Sequence, residues 1–402
     1  FAYISLIPFS LRWKCTGTYL KGDMRVDNRT ARIAVVGAGS GGITAVAQLL
    51  RKRPALKGHI LLIDPAEEHY YQPLWTLVGA GDVRKETTAR PMSSLIPEGA
   101  EWLQESVQTF APEKNELLTT QGTTVHYDYL IIAAGIQLNW KDVPGLVETI
   151  GKNGVCSNYS YETVSSTWDA ISHFKGGEAL FTMPSTPIKC GGAPQKIMYL
   201  AEEYFAQHNI RNKSSVHFMT ALPNMFAVPR YEKTLNEVVK RKQIQTHFKT
   251  ELVSIDGPNH VATFENLETK ERFTHHFDLI HVTPPMGPMD FLKNSPVTDA
   301  SGWVDIDSKT LQHDRYENIF ALGDCSNLPT SKTGAAIRKQ APVVVENLIR
   351  FMEHQNHTKA EYDGYTSCPL VTGYNSLVMA EFVYEKEPAE SFPIDQSEER
   401  LS

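Results

Sequence analysis

Hydrophobic positions along this chain fall in short solid blocks separated by longer amphipathic stretches, and the order of the two predicts the architecture. Arg32-Ile-Ala-Val-Val36, His59-Ile-Leu-Leu-Ile63, Tyr127-Asp-Tyr-Leu-Ile-Ile-Ala-Ala-Gly135, Ala179-Leu-Phe-Thr-Met183, Val216 to Thr220, Phe277-Asp-Leu-Ile-His-Val-Thr283 and Tyr316-Glu-Asn-Ile-Phe-Ala-Leu-Gly-Asp324 read as buried strands. Strands of that kind belong in parallel sheets whose faces are covered by helices. The helices come from the segment running to Leu50, from Trp168 to Phe174, from Pro194 to Asn209, from Glu232 to Lys242 and from Thr333 to Met352. Gly176-Gly177 closes the second of these, and a proline in its first turn opens the third. Two stretches break the alternation. Trp102 to Phe110 and Glu116 to Thr120, joined by the turn Ala111-Pro-Glu-Lys-Asn115, are expected as a β-meander, as is the stretch ending at Phe264. The fold class is α/β.

The turn after the first strand narrows this reading. Gly37, Gly39 and Gly42 stand in G-x-G-x-x-G register: the first makes the tight turn, the second lets backbone approach a pyrophosphate, and the third lets helix pack on strand. The pyrophosphate then meets the positive end of the helix dipole. Asp64 closes the next strand about 20 residues on, where a carboxylate accepts a ribose hydroxyl. The strand ending in Ala133-Ala-Gly135 is small-sided enough to pass against a cofactor, and the strand ending in Gly323-Asp324 presents a carboxylate to the sugar-alcohol chain of a flavin. In that order the three elements describe an FAD-binding domain at 31–150 and 286–352, interrupted by a second Rossmann-like domain at 151–285 and followed by a C-terminal segment at 353–402. With no flavin-linkage motif in the chain, the FAD is expected to be noncovalent. Where the second domain should repeat the glycine fingerprint, Pro184-Ser-Thr-Pro-Ile-Lys-Cys-Gly-Gly192 puts two prolines and a thiol, which argues against NAD(P)H as second substrate. The aromatic stretch His69-Tyr-Tyr-Gln-Pro-Leu-Trp75 reads as a loop, either a lid beside the cofactor or ordinary packing.

With 402 residues there is chain enough for a core in each domain. A net charge of −7 argues against a nucleic-acid partner, which needs a basic face. No uncharged apolar run reaches the roughly 18 residues of a membrane-spanning helix. Cys15, Cys156, Cys190, Cys325 and Cys368 are too few for a disulfide scaffold and include no C-x-x-C pair, so interest moves to individual thiols. Cys190 lies just before a helix N-terminus, uncovered by Gly191 and Gly192, with Lys189 and Lys196 nearby. Such surroundings lower a thiol pKa from about 8.5 to about 3.5–7.5; a buried inert cysteine is the alternative. Cys368 stands in Tyr365-Thr-Ser-Cys-Pro-Leu-Val-Thr-Gly-Tyr374, expected as a polar, aromatic loop, and sequence distance leaves open whether the two thiols meet. His275, His276 and His281 are assigned to packing or surface roles, and no metal site is expected. The chain opens on Phe1 rather than Met, which reads as an incomplete start. Residues 1–30 are a leader whose first part carries Arg12, Lys14 and Lys21 and no acidic residue, a composition shared by transit peptides and disordered leaders.

Five stretches together resemble the mitochondrial-type sulfide:quinone oxidoreductases, a family of two-dinucleotide-binding-domain flavoproteins: 36–44, 71–81, 189–200 (Lys-Cys-Gly-Gly-Ala-Pro-Gln-Lys-Ile-Met-Tyr-Leu), 323–333 and 365–375. The resemblance covers nearly everything from residue 31 onward. It implies that FAD contacts fall on Gly37, Gly39, Gly41, Gly42, Asp64, Gln72, Val107, Gly323, Asp324 and Lys332, and that Cys190 and Cys368 are the redox-active pair. The implied chemistry is oxidation of hydrogen sulfide through a disulfide and a persulfide. Two electrons pass via FAD to a ubiquinone-type quinone, and sulfane sulfur passes to a small acceptor such as glutathione or sulfite. The implied place is the mitochondrial inner membrane, peripherally, through an amphipathic tail that family members carry beyond the position of Ser402; quinone binding by this stretch alone is left open. Cys156 falls where some bacterial relatives have a third cysteine, though a structural role is expected here, and Cys325 is expected as packing beside the flavin. Two rival readings are an NADH:quinone oxidoreductase on the same fold, which would want a glycine fingerprint where Cys190 stands, and a flavin-bound interaction protein without turnover.

Overall fold

In the computed structural model, which describes residues 27–355 and 359–401, the chain enters as β1 (Asn28–Val36), turns into α1 (Ser40–Lys52) and returns as β2 (Ile60–Ile63). The leader's first part, with its targeting reading, lies outside the described residues. After a short helix α2 (Trp75–Gly79), β3 (Ala100–Leu103) pairs parallel with β2. β4 (Val107–Ala111) and β5 (Glu116–Thr119) make an antiparallel hairpin that leads to β6 (Thr124–Ile132), the parallel neighbour of β1. The sheet order is β3-β2-β1-β6-β5-β4. β1 and β6 hold its centre because Ile33 to Val36 and Leu130 to Ile132 are apolar on both faces and buried.

Two expectations are corrected here. Trp102 to Phe110 is not one arm of a meander: Trp102 and Leu103 pair with Leu62 and Ile63 in the parallel sheet, and only Val107 onward pairs with β5. The indole of Trp102 donates to the Asp64 carbonyl at 2.9 Å, which ties β3 to the end of β2. The aromatic stretch His69 to Trp75 is not a loop either. Glu68–Tyr70 pairs with Ala89–Pro91, and Trp75 opens α2 with its ring buried and its indole donating to Thr88 Oγ1 at 3.2 Å.

The chain leaves the first sheet through Gln137–Leu138 and comes back through Met286–Gly287, and these two passages pair antiparallel with one another. Between them run β7 (Val155–Cys156), α3 (Val164–His173), β8 (Gly177–Met183), α4 (Ala193–Gln207), β9 (Ser214–Thr220), α5 (Pro229–Arg241) and β10 (Gln245–His247). An antiparallel meander follows, β11 (Thr250–Asp256), β12 (Val261–Asn266) and β13 (Arg272–His276), and then β14 (Leu279–His281). β14 inserts between β7 and β8, so the second sheet is all parallel in the order β7-β14-β8-β9-β10. β15 (Ile319–Ala321) rejoins the first sheet beside β6 and is followed by α6 (Gly334–Met352), whose N-cap Thr333 accepts from the Ala336 N–H.

The stretch Tyr365 to Tyr374, expected as a loop, is instead strand β16 (Thr366–Gly373), hairpinned onto β17 (Ser376–Phe382). Thr366, Cys368, Leu370 and Thr372 share its buried face, and Ser367, Pro369 and Val371 alternate with them on the more exposed side. That buried face, with Val378, Ala380 and Phe382, packs into the same cluster as Phe181, Ile197 and Phe218 of the second sheet and its helix α4. Burying one such apolar side chain stabilises by about 1.5–3 kcal/mol, and here it also brings a distant thiol to α4. Among the described residues no helix is long and apolar enough to cross a membrane.

Candidate functional site: two thiols at a helix N-terminus

β8 ends at Met183, and the chain then runs through the proline-rich turn to Cys190, which adopts φ +61°, a left-handed conformation that a non-glycine side chain holds only under local constraint. The constraint is visible. The Cys190 N–H donates to the Lys332 carbonyl at 2.8 Å, tying the turn to the loop before α6, and its own carbonyl accepts the Ala193 N–H at 2.9 Å as α4 begins. β16 lies across this helix start and puts Cys368 Sγ 3.1 Å from Cys190 Sγ. That approach needs Gly192: a Cβ there would sit 2.6 Å from Cys368 Sγ and 2.2 Å from Leu370 Cδ2. Lys196, one turn into α4, holds its Nζ 3.6 Å from Cys190 Sγ.

The two sulfurs titrate in opposite directions. Cys190 is pulled below the ordinary thiol range because the Cys368 S–H donates to it, with Lys196 and the Gly192 N–H adding to the effect against the opposing pull of burial. Cys368 is pushed well above that range, chiefly because its proton is held by Cys190 and also by burial. One proton is shared and it sits on Cys368, leaving a thiolate at Cys190. Burial works to lower the Lys196 pKa, but the two sulfurs outweigh it and keep the ammonium charged. The other described thiols are different: burial pushes Cys156 up to about 12 and Cys325 up to about 11, and Cys325 donates weakly to the Ile132 and Leu322 carbonyls. Neither lies in an electropositive, open setting of the kind that activates a thiol.

The glycine turn is built as its sequence predicts. Gly37 takes φ +99° and donates its N–H to the Ile63 carbonyl, and a Cβ on Gly42 would lie 1.9 Å from the Gly37 carbonyl oxygen. Gly39 faces open space, and a Cβ on Gly41 would meet Ala133 and Leu322 only at ordinary contact distance. The first turn of α1 carries no acidic residue and no side-chain cap, so its N–H groups remain free for an anion. Asp64 accepts the Ala38 N–H at 2.7 Å and the Ala66 N–H at 2.9 Å, which aims the carboxylate beside the turn. Gly323, Asp324, Lys332 and Thr333 line a cavity at the start of α6. Lys332 Nζ binds the Asp324 and Ser326 carbonyls at 2.7 and 2.9 Å, and burial raises the Asp324 pKa against the charges of Lys332 and Lys189. Open backbone at Gly39, an acid-free helix terminus, a ribose-type acceptor at Asp64 and a second polar cavity under Asp324 fit a flavin dinucleotide.

Several of the expected residues converge. Gln72 Oε1 accepts from Lys189 Nζ at 2.7 Å, Lys189 also donates to the Tyr159 carbonyl at 3.1 Å, and Lys189 precedes Cys190 in the chain. Burial lowers the Lys189 pKa to about 8. The segments bearing Gln72, Asp324 and Lys332 thus meet the thiol turn, while Gly37 to Gly42 and Asp64 gather at the ends of β1 and β2. The Val107 side chain is buried in the first core. Sequence reading overlooked Asn158, Tyr159 and Thr283, which with His281 leave buried side-chain polar atoms unpaired. No spacing marks them, since 158–159 and 281–283 meet only when β14 inserts next to β7.

Residues 31–168 match the family profile for pyridine nucleotide-disulphide oxidoreductases. A protein of Mus musculus named mitochondrial sulfide:quinone oxidoreductase is 45% identical over 372 residues, spanning 92% of this chain and 82% of that one. Its namesake in Dictyostelium discoideum is 46% identical over 375 residues, spanning 92% and 81%. The chain belongs to the sulfide:quinone oxidoreductase family. As a sulfide:quinone oxidoreductase family member it is an FAD flavoprotein. The X-ray structure of the sulfide:quinone oxidoreductase from Aquifex aeolicus shares its fold, with a TM-score of 0.75 at 19% identity over 88% of this chain and 83% of that one.

Proposed function

We propose that this chain oxidises sulfide with the Cys190–Cys368 pair and delivers two electrons to a quinone. The observation that carries the proposal is the 3.1 Å approach of two thiols of opposite character beside Lys196. A disulfide bond, about 2.0 Å long, needs the sulfurs to close by about an ångström. Hydrosulfide then attacks Cys368 Sγ: a new S–S bond forms, the Cys190–Cys368 bond breaks, and its electron pair leaves on Cys190. Cys190 is the better leaving group because its thiolate is the stabilised one, held by Lys196 and the Gly192 N–H. Cys368 becomes a persulfide. A small thiolate or sulfite attacks the outer sulfur and takes it away, and Cys368 keeps the proton that hydrosulfide brought, which restores the S–H donor to Cys190. Gly37, Gly39, Gly41, Gly42, Asp64, Gln72, Val107, Gly323, Asp324 and Lys332 are the residues proposed to hold FAD. When bound, FAD supplies the two-electron acceptor that returns the thiols to the disulfide and passes the electrons on to quinone.

The FAD domain proposed at 31–150 and 286–352 and the inserted domain at 151–285 meet at this turn. The cellular setting proposed is the mitochondrial inner membrane, with the protein peripheral to it and glutathione or sulfite as sulfur acceptor. The NADH alternative has no support at the turn after β8, where prolines and Cys190 occupy the place of a second phosphate cradle. Anaerobic titration of the flavin-loaded protein separates the readings. With glutathione present as sulfur acceptor, sulfide should bleach the flavin at about one equivalent while NADH leaves it oxidised, and bleaching by NADH alone would overturn the proposal.

A further inference from the structure

At the other end of β8 from the thiols, three strands bring a second set of reactive side chains together. Glu178 stands at the start of β8, His217 in the middle of β9 and His275 in β13, whose meander folds back over the sheet. Glu178 Oε2 lies 2.8 Å from His217 Nε2, and one ligand atom from each of the three residues lies within 4.8 Å of the other two. His247, from β10, stands behind: its Nε2 is 3.0 Å from His217 Nδ1, and the two rings stack at 5.3 Å. His275 Nδ1 donates to the His276 carbonyl at 2.7 Å, which leaves its Nε2 with a free lone pair.

We propose that Glu178, His217 and His275 form a binding site for a divalent transition metal, with zinc as the natural occupant and His247 as the residue that orients His217. One carboxylate oxygen and two imidazole nitrogens are a recurrent zinc donor set and leave a fourth position for water. Donors on a tetrahedral zinc with bonds of about 2.0–2.1 Å stand about 3.3 Å apart, so the set needs movements of about an ångström in side chains that are only partly buried at Glu178 and His275. The His217–His247 contact supplies the outer hydrogen bond that metal-bound imidazoles require: with a metal on Nε2, the His217 proton sits on Nδ1 and is donated to His247. Three strands of a packed sheet and its meander carry the donors, so the metal would clamp β13 onto β8 and β9, far along the strand from the thiol chemistry.

The test uses the full flavin-loaded chain, stripped with chelator and dialysed against Zn²⁺ alone, with bound metal and thermal midpoint both measured. Glu178→Gln and His275→Gln alter the two partly exposed donors and so spare the buried His217. Expected are about one Zn²⁺ per chain, a rise in midpoint on loading, and at least about tenfold weaker binding in each variant. His276→Gln, whose ring faces Asp278 at 3.7 Å, should bind as the native chain does. Zinc could also be caught by the thiol pair. Undiminished binding in both Glu178→Gln and His275→Gln, or binding lost only on Cys190→Ser, would overturn the proposal, as would a native chain that takes up no zinc.

Discussion

The turn after β1 and the turn after β8 occupy equivalent places, each joining a buried parallel strand to the N-terminus of a helix, yet they are furnished for opposite purposes. At the first, side chains are removed: Gly37 turns the chain, Gly42 touches its carbonyl, and Gly39 opens onto empty space. At the second, the same helix-terminus field is filled by a sulfur, with Cys190 held at φ +61°, Lys196 3.6 Å away and Cys368 delivered by a strand from the far end of the chain. A helix N-terminus favours negative charge in either case. What changes is the anion proposed for each, a cofactor's pyrophosphate at one turn and a protein thiolate at the other.

The largest way to break this contrast is to remove a sulfur. Cys190→Ser and Cys368→Ser should each lower sulfide-dependent quinone reduction roughly a thousandfold or more while leaving bound flavin in place, because neither sulfur belongs to the first turn. A steady-state assay with a soluble quinone alongside the flavin absorbance ratio checks both halves. A variant that keeps a tenth of native turnover would show that the pair is not the reacting centre.

A paired glycine experiment sharpens the comparison. Gly42→Ala places a Cβ 1.9 Å from the Gly37 carbonyl oxygen and should destabilise the chain by more than about 3 kcal/mol, with flavin lost on gel filtration. Gly192→Ala meets Cys368 Sγ and Leu370 instead. It should keep flavin yet lose about a hundredfold in sulfide turnover, since an ångström of displacement at reacting atoms has that effect. If both variants lost flavin alike, the division of labour between the turns would be wrong.

Lys196→Met is a smaller perturbation. The ammonium contributes to lowering the Cys190 pKa, so without it the alkylation–pH profile of Cys190 shifts to higher pH and the thiolate population falls at acidic pH. A shift of one unit corresponds to about tenfold in thiolate at a pH below both midpoints, recovered at alkaline pH. Smallest of all are Cys156→Ser and Cys325→Ser, which should leave sulfide turnover unchanged and lower stability by about 1–2 kcal/mol through burying a more polar hydroxyl where a thiol stood.

Much of this was legible in the sequence because it is local. The glycine spacing, the apolar blocks of β1, β2, β6 and β15, and the placement of Cys190 before α4 all depend on neighbours a few residues away. The misread parts depend on tertiary pairing. Trp102 looks like part of a meander until β2 claims it, and His69 to Trp75 looks like a loop because three-residue strands carry too few positions for a pattern. Cys368 looked like a loop residue because Pro369 and the polar Thr366 and Ser367 obscure a strand whose alternate positions are buried. The metal-type cluster was invisible for the same reason: of His275, His276 and His281, only His275 belongs to it, and its partners arrive on separate strands.

The central claim is that sulfide opens the bridge at Cys368 and frees Cys190. It is tested most directly by anaerobic single-turnover mixing of the oxidised, flavin-loaded protein with sulfide and no acceptor, quenched by alkylation and mapped by peptide mass. The account predicts an additional sulfur atom on the Cys368 peptide and a singly alkylated Cys190. The additional sulfur found on Cys190, with Cys368 carrying only the alkyl group, would contradict it.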